Sequence, residues 1–145
     1  MNNYYKHEKY AELMEKLKKS LKNEFYYESI FIEYAIIEDR TESLLRHANI
    51  KTTDSKNYSL KLNDKLRKIK NNKIFEDKYI KKHLKEELIS SIYEWKNDRN
   101  KLIHDLIGCP YTNDKIKEIA LNGEKIIKTL NNKSTLINKY LDRIK

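Results

Sequence analysis

The sequence predicts an all-α fold, an antiparallel helical bundle of five to six helices that forms a single domain over residues 1–145. The chain holds two glycines and one proline, too few turn residues for a β-rich domain. Charged residues make up 37% of the chain and hydrophobic residues 39%, a mixture typical of amphipathic helices with solvated outer faces. With 145 residues, the chain can bury a core without help from metals or disulfides.

Apolar residues recur at steps of three and four along most of the chain, and this spacing predicts the individual helices. They are expected over residues 4–21, 23–49, 59–70, 85–107, 114–130 and 134–144, with a short additional helix over 75–83. Residues 51–58 are polar and are predicted to form a loop, and the asparagine pairs at 71–72 and 131–132 are predicted to be turns. Gly108 and Pro110 should end the helix that begins at residue 85, and Thr112 or Asn113 should cap the next one.

The formal net charge of +9 has two interpretations. A basic surface suits a polyanionic partner such as RNA. Alternatively, the chain is rich in residues with A/T-rich codons, so genomic bias could supply the excess lysine without any selection for nucleic acid. Arginine is much rarer than lysine in this chain, and each arginine is therefore more informative.

The cellular compartment is inferred from the cysteine content and from the absence of long apolar segments in the sequence. The single Cys109 cannot form an internal disulfide, which suits a reducing environment. The first residues lack the apolar segment of a signal peptide, and no apolar run approaches the roughly 18 residues of a membrane span. A cytoplasmic protein with no membrane partner is therefore expected. No cofactor is expected either, because the sequence has no glycine-rich phosphate loop and no metal-ligand spacing.

The helix predicted over 85–107 carries the candidate functional residues. Arg99 stands at a position where a core residue is expected, in an apolar stripe that consists of Leu88, Ile92, Trp95, Arg99, Leu102 and Leu106. A second stripe beside it widens the apolar surface and runs through Ile89, Tyr93, Lys96, Asn100, Ile103 and Ile107. Because a buried guanidinium is costly unless it is paired, Arg99 either finds a carboxylate or extends to the bundle edge with its stem packed. Glu38, at the edge of the inward face of the second helix, is the best-placed carboxylate for such a pair. A helix that is apolar over so much of its girth lies centrally or meets a partner chain.

Arg99 and His104 are five positions apart, which is about 140° around an ideal helix. They do not share one face, so both can reach one phosphate only if Arg99 bends around the helix or a second copy supplies part of the site. This geometry favours a dimeric site. The simpler alternative for His104 is an ordinary polar surface residue.

The run Arg99-Asn100-Lys101-Leu102-Ile103-His104 resembles the motif of HEPN (higher eukaryote and prokaryote nucleotide-binding) domains, in which an arginine and a polar residue precede a histidine. The resemblance covers six residues, in a late helix of an all-α chain, where that family carries the motif. It implies a HEPN-like bundle and a metal-independent endoribonuclease that works as a homodimer. Glu38 would fill the place of the acidic residue common on an earlier helix of the family.

The resemblance also implies roles for the site residues. His104 would act as general base or acid, Arg99 would hold the scissile phosphate, and Asn100 would orient the phosphate or His104. The products would be a 2′,3′-cyclic phosphate and a 5′-hydroxyl. Some members are toxins that a partner silences through a tyrosine two residues after the histidine. Leu106 stands at that position here, so this route of control is not expected, although an antitoxin or regulatory protein stays open as a partner.

Two other functions compete with the ribonuclease. The chain could be a non-catalytic helical module that binds RNA or a protein, with salt-sensitive binding but no cleavage. It could also be a structural or regulatory helical protein, in which case no RNA binding is expected even at low salt.

Overall fold

The computed structural model describes residues 3–108 and 110–145, and all regular elements within these ranges are helical. The helices are α1 (Asn3–Lys22), α2 (Tyr26–His47), α3 (Leu62–Asn71), α4 (Lys78–His83), α5 (Glu86–His104) and α6 (Asn113–Arg143), with a 3₁₀ turn at Lys73–Glu76. The all-α prediction is therefore confirmed. None of the helices in these ranges combines the length and apolar character needed to cross a bilayer. Cys109 lies outside the described residues.

Helix α2 is the centre of the bundle, and its largest contact is with α6. The two helices run in the same direction, because Asn138 Nδ2 donates to Ser43 Oγ at 3.1 Å and His47 Nδ1 lies 2.8 Å from Asp142 Oδ1. Neighbours along the chain, α1 with α2 and α5 with α6, run antiparallel through short connections. The predicted antiparallel arrangement thus holds for these neighbours but not for the central pair.

The core draws apolar side chains from every helix, as the three-and-four spacing predicted. The most deeply buried members are Ile36, Ile37, Leu44, Leu45, Leu62, Leu66, Ile80, Ile92, Leu102, Ile119, Ala120, Ile127, Leu130 and Ile137. On α2, the predicted stripe is buried at Ile30, Ile37, Thr41 and Leu44. This packing fixes α2 against both α6 and α3, and α5 lies beside them.

The break predicted at residues 131–132 is wrong, since α6 runs through both asparagines without interruption. Asparagine costs only a few tenths of a kcal/mol relative to better helix formers, so tertiary contacts can override it. Leu130 and Ser134 are buried on either side of the pair, and the Tyr10 hydroxyl donates to Asn131 Oδ1 from α1. These contacts hold the backbone in the helix at the point where propensity alone predicted a turn.

Other boundaries also differ from the prediction, at the starts of α2, α3 and α4 and at the end of α5. Helix α3 begins at Leu62 rather than at residue 59, because the Leu60 N–H donates to the Thr52 carbonyl at 2.9 Å in a turn of the preceding loop. Helix α5 ends at His104 rather than at residue 107, and Gly108 does not adopt the positive φ expected of a glycine after a helix. By contrast, Thr112 caps α6 as predicted, since its Oγ1 accepts from the Lys115 N–H at 3.2 Å.

Candidate functional site

Arg99 lies at the edge of the bundle, where the last turns of α5 pass α2. Its guanidinium carbon is 4.0 Å from the centroid of the Tyr34 ring. Tyr34 in turn stacks on Trp95, with ring centroids 6.4 Å apart and an angle of 29° between the planes. Arg99 is half-buried, so its stem packs while its head stays at the surface over an aromatic platform. This position matches the bundle-edge alternative rather than a core position.

The positive charge of Arg99 has no carboxylate partner among the described residues. Its Nη1 donates to Asn100 Oδ1 at 3.0 Å, and its Nε is shielded from solvent without any hydrogen-bond partner. The predicted pair with Glu38 is wrong, because Glu38 Oε1 lies 3.5 Å from Lys65 Nζ of α3. Lys65 is buried and also forms an ion pair with Glu42, so both carboxylates lie against that ammonium rather than against Arg99. Arg99 is therefore a partly desolvated cation with donors available to an anion.

His104 is the last residue of α5 and faces solvent, with 88% of its side chain exposed. Its Nδ1 lies 2.9 Å from Oδ1 of Asp105, and no hydrogen bond joins it to Arg99 in the described part of the chain. If Nδ1 donates to this carboxylate, the tautomer is fixed and Nε2 is left free to exchange a proton. The sequence interpretation missed Asp105, although a carboxylate directly after a candidate histidine is visible in the sequence.

The C-terminal end of α5 and the turn that follows it expose aliphatic side chains that the predicted stripes placed inward. Ile92, Trp95 and Leu102 are buried as expected, whereas Ile103 and Leu106 are about half exposed and Ile107 is fully exposed. These side chains flank His104 along the chain. Their exposure shows that this end of the helix does not lie centrally in the bundle, which was one of the two alternatives that the sequence left open.

A second unusual group lies in the core. Glu33 of α2 is completely buried, and within residues 3–108 and 110–145 neither of its carboxyl oxygens has a hydrogen-bond partner. Burial raises the pKa of Glu33 from 4.5 to about 9, and the nearby charge of Glu124 adds to the rise. A Cβ at Gly123 would lie 2.3 Å from Glu33 Oε1 and 2.9 Å from Trp95 Nε1, so this close approach requires glycine. The sequence signal was available, because Glu33 lies three residues after Ile30 on the inward face.

The described residues contain no group of three or more histidine, cysteine, aspartate or glutamate side chains placed to hold a metal ion. A cleft of about 660 Å³ is lined by Ile69, Phe75 and Tyr93 among others and includes none of the predicted site residues. The candidate site of a single chain is thus an open surface around Arg99 and His104.

Comparison with protein-family models, with curated proteins and with solved structures gave no match for this chain. The resemblance to HEPN domains therefore stays a prediction that depends on six residues and on the surroundings of Arg99 and His104.

Proposed function

We propose that this chain is a metal-independent endoribonuclease of HEPN type, with a site that two copies of α5 form together. The observation that carries the proposal is the state of Arg99, a guanidinium that lies on the Tyr34 ring with no carboxylate partner among the residues described. Forked donors on a preorganised cation suit the extra negative charge that a phosphodiester acquires during cleavage. Asn100 would hold the guanidinium in this orientation through the bond to its Nη1.

His104 would supply the proton transfers. As general base, its Nε2 takes the proton of a ribose 2′-hydroxyl while Asp105 holds Nδ1. The 2′-oxygen then attacks phosphorus, and the bond from phosphorus to the 5′-oxygen breaks. An imidazolium, from the same or the second subunit, protonates the leaving 5′-oxygen. The products are a 2′,3′-cyclic phosphate and a 5′-hydroxyl.

A second copy is needed because Arg99 and His104 point about 140° apart on one helix. The exposed Ile103, Leu106 and Ile107 lie beside His104 in sequence and offer an apolar surface to the same end of another α5. A two-fold arrangement would bring Arg99 of one subunit towards His104 of the other. Activity of this kind suits a toxin or a defence protein, with an antitoxin or regulatory protein as a further partner.

The test is cleavage of a single-stranded RNA in the presence of EDTA. His104→Ala and Arg99→Ala should each lower the rate at least about 100-fold, and His7→Ala, which removes an exposed histidine of α1, should not. Mixing the two inactive variants should restore activity, because one site of the mixed dimer keeps both side chains. Cleavage that persists in His104→Ala would reject the catalytic role, and failure of the mixture to cleave would reject a shared site that needs only one Arg99 and one His104.

One observation favours a non-catalytic module that binds RNA or a protein instead. Among the residues that the structure describes, the His104 ring makes its one hydrogen bond to the neighbouring Asp105, and it is almost fully exposed, as an ordinary surface histidine would be. This alternative predicts RNA binding that weakens steeply with salt, with no cleavage products after long incubation.

A further inference from the structure

An uncovered row of aromatic side chains lies on α2 next to Arg99. Tyr27 and Phe31 are 53% and 72% exposed, and Tyr34 follows at the next turn. Their spacing of four and three residues places them on one side of the helix, over about 10 Å of its length. We call these three residues the aromatic row. Its inner end, Tyr34, is the residue on which the Arg99 guanidinium rests.

The neighbouring helices explain why the aromatic row is open. Further along the same side of α2, Glu38 and Glu42 are covered by α3 through their ion pairs with Lys65. Towards the start of α2 no such cover exists, since Phe31 is more exposed than any other large apolar side chain except Ile107 in the described ranges. Helix α5 runs antiparallel to α2, so the row extends from Arg99 towards the end of α5 that carries His104.

We propose that the aromatic row stacks unpaired RNA bases next to the phosphate that Arg99 binds. The row consists of aromatic rings rather than aliphatic side chains, and it ends on a guanidinium with no carboxylate partner. Rings beside a free cation are the combination that holds a base and the adjoining phosphate of a single strand. The formal net charge of +9 favours a polyanion as the partner, rather than a protein surface that lacks an acidic patch. This inference deepens the proposed function and rests on it for the phosphate at Arg99.

Binding to the cleavage-deficient His104→Ala protein separates base stacking from catalysis. The probes are a labelled ten-nucleotide single-stranded RNA and a ribose-phosphate strand of equal length and charge with abasic positions. Phe31→Ala should weaken binding of the RNA about 5- to 150-fold, the range for loss of one stacked base, and should change binding of the abasic strand less than about twofold. Phe31→Trp should preserve binding. Tyr58→Ala, which removes a ring that is 68% exposed in the loop between α2 and α3, is the matched control and should have no effect.

Equal losses on both strands, no loss on either, or no RNA binding by any variant would overturn the inference. Light scattering must accompany the binding data. If Phe31→Ala changes the protein from dimer to monomer, the aromatic row is a subunit interface, and that result also overturns the inference. The two proposals can fail separately. If binding depends on the bases but the unmodified chain does not cleave RNA, the ribonuclease proposal is rejected and the role of the aromatic row is kept. If the chain cleaves RNA and Phe31→Ala leaves cleavage unchanged, the ribonuclease proposal is kept and the role of the aromatic row is rejected.

Discussion

Replacing Glu33 by glutamine should change how the stability of the protein depends on pH. The Glu33 carboxyl is buried between α2 and α6 with no hydrogen-bond partner, and its pKa is raised to about 9 from 4.5. Below pH 4.5 the group is neutral in both the folded and the unfolded chain. Between pH 4.5 and 9 the unfolded chain ionises while the folded chain stays protonated. The stability that the neutral group contributes at low pH is therefore lost as the pH rises towards 9.

The size of the effect follows from the same two values. Each pH unit between them costs up to about 1.4 kcal/mol of unfolding free energy. From pH 5 to pH 8, the unmodified protein should lose about 4 kcal/mol relative to Glu33→Gln, which has the same shape but cannot ionise. Against a typical total of about 5–15 kcal/mol, this loss is large. Above pH 9 the folded chain ionises as well, and the two stability profiles should become parallel again.

The assay is urea unfolding, followed by circular dichroism at several pH values from 5 to 8. Glu15→Gln, which removes one exposed carboxylate from α1, is the surface control for loss of a charge. Parallel profiles for the unmodified protein and Glu33→Gln would show that Glu33 is ionised in the folded state, and the reasoning from burial would then be wrong. Equal slopes of unfolding free energy against urea in the two proteins are needed for the comparison.

Two further predictions follow from single contacts. Gly123→Ala should lower the unfolding free energy by about 1–3 kcal/mol, because the added methyl would lie 2.3 Å from the buried carboxyl of Glu33, and this clash outweighs the higher helix propensity of alanine. Equal or higher stability of the variant in urea unfolding would contradict this packing argument. Asp105→Asn should slow RNA cleavage at least about tenfold, because the His104 ring would lose the carboxylate that holds its Nδ1. The control is Asp98→Asn, which changes an exposed aspartate of the same helix, and an unchanged single-turnover rate in Asp105→Asn would mean that Asp105 does not position the imidazole.

Most of the fold could be predicted because apolar spacing is a local property of the sequence. Ile30, Ile37 and Leu44 lie on one side of any helix, and all three are buried. The continuity of α6 could not be predicted in this way. Asn131 stays helical because of Tyr10, which is remote in sequence, and no local pattern reveals that contact. The relative direction of two helices cannot be predicted from local spacing either, because the parallel packing of α2 on α6 depends on where the intervening helices lie.

The candidate site, like the fold, could be predicted from the sequence only in part. The position of Arg99 on an apolar stripe was visible in the spacing, and so was its wide separation from His104. The partner of Glu38 was not, because Lys65 belongs to a third helix whose placement the sequence does not give. Glu33 was overlooked for a different reason. Its inward position was predictable, but a carboxyl that lacks any partner in the core contradicts the usual expectation that buried charges are paired.

Lys65 and Arg99 show how differently one small bundle treats two desolvated cations. Lys65 is 1% exposed and meets two carboxylates, which is the arrangement that stability requires of a buried charge. Arg99 lies near the same side of α2 and has none, and its shielded Nε lacks even a hydrogen bond. An arrangement that leaves a donor unsatisfied costs stability, and natural proteins keep such costs mainly at functional sites. The contrast between the two side chains is therefore the strongest reason to look for an anion at Arg99, whether or not cleavage follows.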